Sequence, residues 1–317
     1  MINLIREVIS FASVFIFGST GETINEKAGH LNLGIPGIMC FGAIGGCCGV
    51  HIYASIVGTV NMNAFLCVFI AIICSLIFGA ILGALFSFFT VTLGCNQNIT
   101  GLTITTFGTG ATMFLMGKLD TSSFNRASKF FETLLPFYEN LGWFGELFLS
   151  YGFLVYLSIA IAISATLIMK KTKLGLRLRS VGENPATADA VGINVTKYRY
   201  LATIIGCAIA GLGGLSYMFD YSGANNLQNH GIDGFGWLCI AIVIFTLWRS
   251  DLGIIGSLLF SFLYLCPSFF FSGNTLYLIE ALPYVITICV LILTSILDNS
   301  KNQPPASLGV NYFREER

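Results

Sequence analysis

Between Lys27 and Lys118 the chain carries no Asp, Glu, Lys or Arg for 90 consecutive residues. A soluble fold cannot present such a stretch to water, whereas a helix needs roughly 20 apolar residues to cross a bilayer. By that length the tract holds about four crossings joined by short turns. Further uncharged runs follow at Leu147–Met169, Tyr200–Phe219, Gly234–Trp248, Leu252–Ile279 and Ala281–Leu297. A charge at the centre of a span costs about 2.5–3.5 kcal/mol, which accounts for these clean windows. Strands of a membrane barrel would alternate polar and apolar residues, and none of the runs does. Across all 317 residues only 10% are charged, against about 25% in a soluble domain. The expected fold is an all-α polytopic membrane protein with about ten transmembrane helices. The range is eight to ten, because the first run, Val8–Gly21, is short.

Seven of the 16 Lys and Arg residues fall between 170 and 199, and the positive-inside rule puts that loop in the cytoplasm. Counting outward from it, the loop 118–146 and Lys27 lie outside and both termini lie in the cytoplasm. The chain then reads as one transmembrane domain over 1–297, with 170–199 as a cytoplasmic loop and 298–317 as a cytoplasmic tail. The 16 acidic residues balance the 16 basic ones, so no surface for nucleic acid is implied. Nine of the ten cysteines sit inside apolar runs and Cys95 sits in a turn, the pattern of small packing residues. The opening MINLIREVISFASVF lacks a basic leader region and reads as the first helix.

Polar and glycine-rich breaks interrupt the apolar runs. The first, Gly29–Gly37, holds His30, Asn32, Gly34, Pro36 and Gly37; the second, Gly94–Gly101, holds Asn96, Gln97, Asn98 and Thr100; the third runs from Tyr221 to Gly234. Glycine and proline weaken a helix through chain entropy and a missing donor. Two readings stand side by side. Broken helices can present amide dipoles and side chains to an uncharged, hydroxyl-rich solute. Alternatively, small residues let helices approach and amides bond across the contact. Asn32, Asn96, Gln97, Asn98 and Thr100 are the candidates for a solute pathway. Asn32–Gly37 and Asn229–Gly234 share the pattern N-x-G-I-x-G, a weak sign of duplication.

No phosphate-binding G-x-x-x-x-G-K-[ST] loop and no H-E-x-x-H motif occurs, and His30, His51 and His230 lack metal-ligand spacing. No catalytic residue, metal or cofactor is expected. The clean spans also speak against coupling to an ion gradient through buried carboxylates. The energy for any transport would then come from another chain.

Within the basic loop, Asn184-Pro185 has the form of a helix start, since Asn caps and Pro suits the first position. Ala186–Val191 would make a short helix and Gly192 would end it. Such a helix has little to bury against its own chain and suits the grip of a partner. Here the sequence resembles the ATP-binding-cassette importer permeases for simple sugars and nucleosides, within the wider group that includes branched-chain amino-acid permeases. Gly182, Asn184, Pro185, Ala188, Gly192 and Ile193 match that family's G-x-N-P-x-A-A-x-x-x-G-I loop, with Thr187 in place of the first Ala. Glu26-Lys27 and Gly29–Met39 resemble its E-R-x-G-x-x-N-I-G-L-E-G-M-M segment, with Pro36 where the family has Glu. Gly231–Ile242 resembles its G-x-G-F-x-x-I-A-V-A segment. Ser307–Glu315 resembles the L-G-x-P-Y-x-R-E tail of the nucleoside branch.

The resemblance implies an inner-membrane permease subunit carrying nucleosides, with simple sugars next, and no covalent chemistry of its own. Gly182, Glu183, Asn184, Pro185, Ala188, Asp189, Gly192 and Ile193 would form the coupling helix and its flanks, seated on a separate ATP-binding subunit that hydrolyses ATP. A second permease subunit (a homologue or a copy), an extracytoplasmic solute-binding protein and membrane lipid complete the implied partners. The alternative is an ion-coupled secondary transporter working alone; a third is a non-transporting membrane scaffold.

Overall fold

The computed structural model describes residues 2–132, 142–224, 231–270, 282–296 and 303–313. Among these the regular structure is entirely helical. The helices are α1 (Ile2–Lys27), α2 (Ile35–Val57), α3 (Ala64–Ser87, continuing as a π-helical turn to Thr92) and α4 (Gln97–Met116). Two short helices follow, α5 (Phe124–Phe131) and α6 (Gly142–Phe148). Then come α7 (Phe153–Lys171), α8 (Lys173–Glu183), α9 (Pro185–Ala190) and α10 (Val195–Leu215, π-helical to Tyr221). The last are α11 (Gly231–Phe245), α12 (Ser250–Phe270) and α13 (Leu282–Ile296).

Among the described residues six helices are long and apolar enough to cross a membrane: α1, α2, α3, α4, α7 and α10. The shorter apolar helices α11, α12 and α13 join them in the bundle. The uncharged tract holds three of them, not four, because α3 and its π turn run on for 29 residues. The first helix is also longer than Val8–Gly21. It continues through Glu22 and Glu26, which are buried and carry partners: Glu22 accepts from Asn25 Nδ2 at 2.8 Å and from the Asn32 amide at 3.3 Å, and Glu26 accepts from the Trp248 indole. The spans are therefore not free of carboxylates.

Both changes move Lys27. Its carbonyl packs on Gly182 of the basic loop, where an added Cβ would lie 2.2 Å away. At the other end of α1, Asn3, Arg6 and Glu7 share a cavity with Tyr151 and Asp220. The start of α1 and the segment 303–313 thus lie at opposite ends of the bundle, and Lys27 lies with the basic loop, which corrects the expectation that it lies with the loop 118–146.

Close backbone approach holds the centre together. Gly42 of α2 meets Gly211 of α10, where a Cβ would come within 2.3 Å of backbone, and Gly37 meets α4, where a Cβ would lie 2.5–2.7 Å from the backbone of Ile104 and Thr105. With lipid on the outside, helix association rests on such packing rather than on hydrophobic expulsion. Toward the Asn3 end, Phe11, Phe15, Tyr217, Phe235 and Tyr264 form a cluster of rings with centroids 4.9–6.4 Å apart. The cysteines are all free, and Cys40, Cys47, Cys67, Cys207 and Cys239 are buried as packing residues.

Candidate coupling face and the polar break beneath it

The basic loop forms α8 and α9 joined at one residue. Asn184 leaves helical geometry, and its Oδ1 accepts the Thr187 amide at 3.0 Å, so α9 starts on a true cap with Pro185 in its first turn. Gly192 closes the helix at φ 84°, with Ile193 N donating to Ala188 O at 3.0 Å and Gly192 N to Asp189 O at 3.0 Å. This is the six-to-one, five-to-two pattern that glycine favours because it lacks a Cβ. Ala188 points inward against Val181 and Val195. Gly182 is buried, whereas Glu183, Asn184, Thr187 and Gly192 are exposed. Val191 at the tip is 71% exposed, an apolar side chain with no cover. The sequence reading missed it because one valine in a helix has no pattern.

Segment 303–313 straps this face to the bundle. Ser307 donates to Gly182 O through its amide at 3.0 Å and its hydroxyl at 2.5 Å, and the Ala306 amide donates to Glu183 Oε2 at 3.2 Å. Tyr312 donates to Asp189 Oδ2 at 2.9 Å. The Gly309 amide reaches Gly29 O at 3.2 Å, and Arg199 Nη1 donates to Val310 O at 3.2 Å. Asn311 Nδ2 donates to Gly94 O at 2.7 Å and Cys95 O at 3.0 Å, while Gln97 Nε2 donates to Asn311 Oδ1 at 3.1 Å. One segment of chain therefore ties the basic loop to both breaks in the α1–α4 tract.

The first break, residues 28–34, turns back beside the last turns of α1. Its backbone lies among apolar helices, where an unpaired amide is costly. Four side chains satisfy it. Gln97 Oε1 accepts the Leu31 amide at 2.8 Å, Glu22 Oε1 the Asn32 amide, and Asn32 Oδ1 the Gly34 amide at 2.9 Å; Thr105 donates to Leu33 O at 2.8 Å. Asn32 and Gln97 are 0% and 2% exposed. Thr100 is buried too and donates to Asn96 O at 2.8 Å. Asn96 caps α4 by accepting the Asn98 and Ile99 amides. Of the five pathway candidates, only Asn98 is exposed with its side chain not engaged in these contacts. The third break reaches into residues 225–230, so Asn229 and His230 lie outside the described residues.

A different polar surface emerges on α4. Asn98, Thr103, Thr106 and Gly110 are exposed along it. Thr103 and Thr106 donate to the carbonyls of Ile99 at 2.8 Å and Leu102 at 3.0 Å. Each hydroxyl thereby spends its proton within the helix and keeps its oxygen as an acceptor facing outward.

Residues 4–294 match the family described as "Branched-chain amino acid transport system / permease component", and the chain belongs to it. A "Nucleoside ABC transporter permease protein NupC" of Lactococcus lactis is 30% identical over 99% of this chain and 97% of its own. The "Guanosine ABC transporter permease protein NupQ" of Bacillus subtilis is 28% identical over the same shares, 99% and 97%. A "Putative glucose ABC transporter permease protein TsgC13" of Haloferax volcanii is 33% identical over 82% of this chain and 75% of its own. The chain is a multi-pass permease component.

Proposed function

We propose that this chain is the membrane subunit of an ATP-binding-cassette importer for nucleosides, with simple sugars as the next candidates. The observation that carries this reading is α9: a helix capped at both ends, strapped to the bundle from behind, with Val191 bare at its tip. A cytoplasmic ATP-binding subunit seated on Glu183–Ile193 would push through Gly182 on Lys27 and, by way of Ser307 and Asn311, on the breaks at 28–34 and 94–97. ATP hydrolysis belongs to that separate subunit.

The basic residues support the orientation. Nine described Lys and Arg residues lie at the α9 end (Lys27, Lys170, Lys171, Lys173, Arg177, Arg179, Lys197, Arg199, Arg249), against Arg6, Lys118, Arg126 and Lys129 at the other. The α9 end and the strap then face the cytoplasm, and residue 2 faces outward. The pathway moves from the buried amides to the uncovered face of α4, where Asn98, Thr103 and Thr106 offer acceptors and amide groups to hydroxylated solutes. A second permease subunit would close the other side, and a solute-binding protein would deliver from outside.

Purification of the tagged chain from its native host tests this. A stoichiometric ATP-binding subunit should accompany the wild type and be lost from Val191→Asp, a change at an exposed residue that leaves the bundle intact. Uptake of labelled guanosine, glucose and leucine by the same cells ranks the solutes. Full uptake by Val191→Asp with the complex intact would remove α9 from the coupling role.

A further inference from the structure

At the α9 end of the bundle, α1, α7, α8 and the α11–α12 turn enclose a notch of about 120 Å³. Its walls carry four cations, Lys27, Lys170, Arg179 and Arg249, and one carboxylate, Asp251. Asp251 Oδ2 is shared between Lys170 and Arg249, 2.9 Å from each. Among the described residues neither Lys27 nor Arg179 makes an ion pair within 4 Å; Glu183 and Glu26 act on Lys27 from further off, and Glu26 is held by the Trp248 indole. The lining of the notch therefore carries more positive than negative charge.

The turn that builds it is strained. Leu247 and Trp248 both take positive φ, 54° and 56°, a conformation unfavourable for bulky residues. The arrangement turns Trp248 inward, 8% exposed, and leaves Arg249 at the rim. Immediately above, α7 and α12 face outward with uncovered apolar side chains, Leu167 at 46% and Ile255 at 64% exposure, each within about a turn of a notch residue. The volume lies below the roughly 300–1,000 Å³ typical of solute pockets. What the site offers is fixed positive charge at the edge of an apolar helix surface, at the level where a headgroup meets its acyl chains.

We propose that this notch binds the phosphate of an anionic phospholipid of the inner leaflet, with the acyl chains laid along α7 and α12. Arg179 and Arg249 supply forked donors suited to phosphate oxygens, and Lys27 and Lys170 add point charges. Basic pockets between helices on the cytoplasmic side hold acidic headgroups by this combination of charge and anchorage.

Native mass spectrometry of the full chain in detergent provides the test, with phosphatidylglycerol and phosphatidylcholine titrated separately. The wild type should hold phosphatidylglycerol about tenfold more tightly than phosphatidylcholine. Arg179→Gln and Arg249→Gln, on opposite walls, should each weaken phosphatidylglycerol by about fivefold. Arg179→Lys should recover part of the loss, and Lys171→Gln, an exposed neighbour outside the notch, should lose nothing. Thermal unfolding of each variant verifies that it is folded. Equal binding of the two lipids by the wild type overturns the proposal even if a variant fails to fold. So does unchanged binding in both arginine variants. Displacement of phosphatidylglycerol by millimolar inorganic phosphate would identify a free-anion site and overturn the lipid assignment.

Discussion

Helices α3 and α4 are neighbours in sequence and equally uncovered, with 28% of the most apolar window of each buried in the bundle. Their open faces nevertheless differ. α3 turns out Phe65, Phe69, Ile73, Ile77, Ile81 and Leu85, whereas α4 sets Asn98, Thr103, Thr106 and Gly110 among exposed Ile99, Leu102, Phe107, Met113 and Phe114. Equal exposure in the isolated chain thus stands for two different surroundings. The α3 face is what lipid requires, and the α4 face suits water, solute or a second subunit. Burial alone does not separate the two; the identity of the uncovered side chains does.

A matched pair of substitutions at mid-helix depth should break this comparison most forcefully. Ile77→Lys places a charge against lipid and should lose about 2.5–3.5 kcal/mol of insertion free energy, read as a fall in the membrane-inserted fraction. Thr106→Lys should insert nearly as well as wild type and abolish uptake. If the two insert equally poorly, the α4 face meets lipid after all. Next in size is Gln97→Ala, at the root of α4. It strands the part-buried Leu31 amide and should destabilise by about 1 kcal/mol, seen as a lower thermal midpoint in detergent. An unchanged midpoint would mean that the break is not held from α4.

Asn184→Ala is expected to cost about 1 kcal/mol, confined to α9. Hydrogen exchange should then quicken at Thr187 and Ala188 with no change in α3 or α4, and solute-stimulated ATPase activity of the assembled complex should fall. Asn184→Asp keeps an acceptor and should preserve both. The smallest effect is reserved for Thr106→Val, which deletes a hydroxyl without changing shape. Insertion should hold, and the KM for uptake should rise about threefold if that oxygen meets the solute, the value of a single modest hydrogen bond. Ile77→Thr, the reverse change on α3, should leave KM where it is.

What could be read in the sequence was whatever is encoded locally. The cap at Asn184, the proline after it and the glycine at 192 act over nine residues, and α9 forms between them. The membrane character of the fold follows from the charge-free tract in the same way. The division of that tract was not legible, because nothing in composition says that α3 runs on to Thr92 while the other helices stop sooner. Glu22 and Glu26 hid the true length of α1: carboxylates in a span are costly, and the groups that satisfy them come from Asn32 and Trp248, the latter more than 200 residues away. Asn32 and Gln97 stand out in the sequence as polar residues in apolar surroundings, and both hydrogen-bond the backbone of the break. The grip of Asn311 on Gly94 joins positions 217 residues apart and has no local sign at all.

The strap carries a temporal meaning. Ser307, Asn311 and Tyr312 follow every membrane helix in the order of synthesis, and chains emerge from the ribosome and fold from their N-terminal side. Until α13 is in place, Gly182 and Asp189 lack the hydrogen bonds of the tail, and α9 rests on the packing of Ala188 against Val181 and Val195. Under the proposed function, the surface that would seat the ATP-binding subunit thus gains its full backing only after α13 has been threaded.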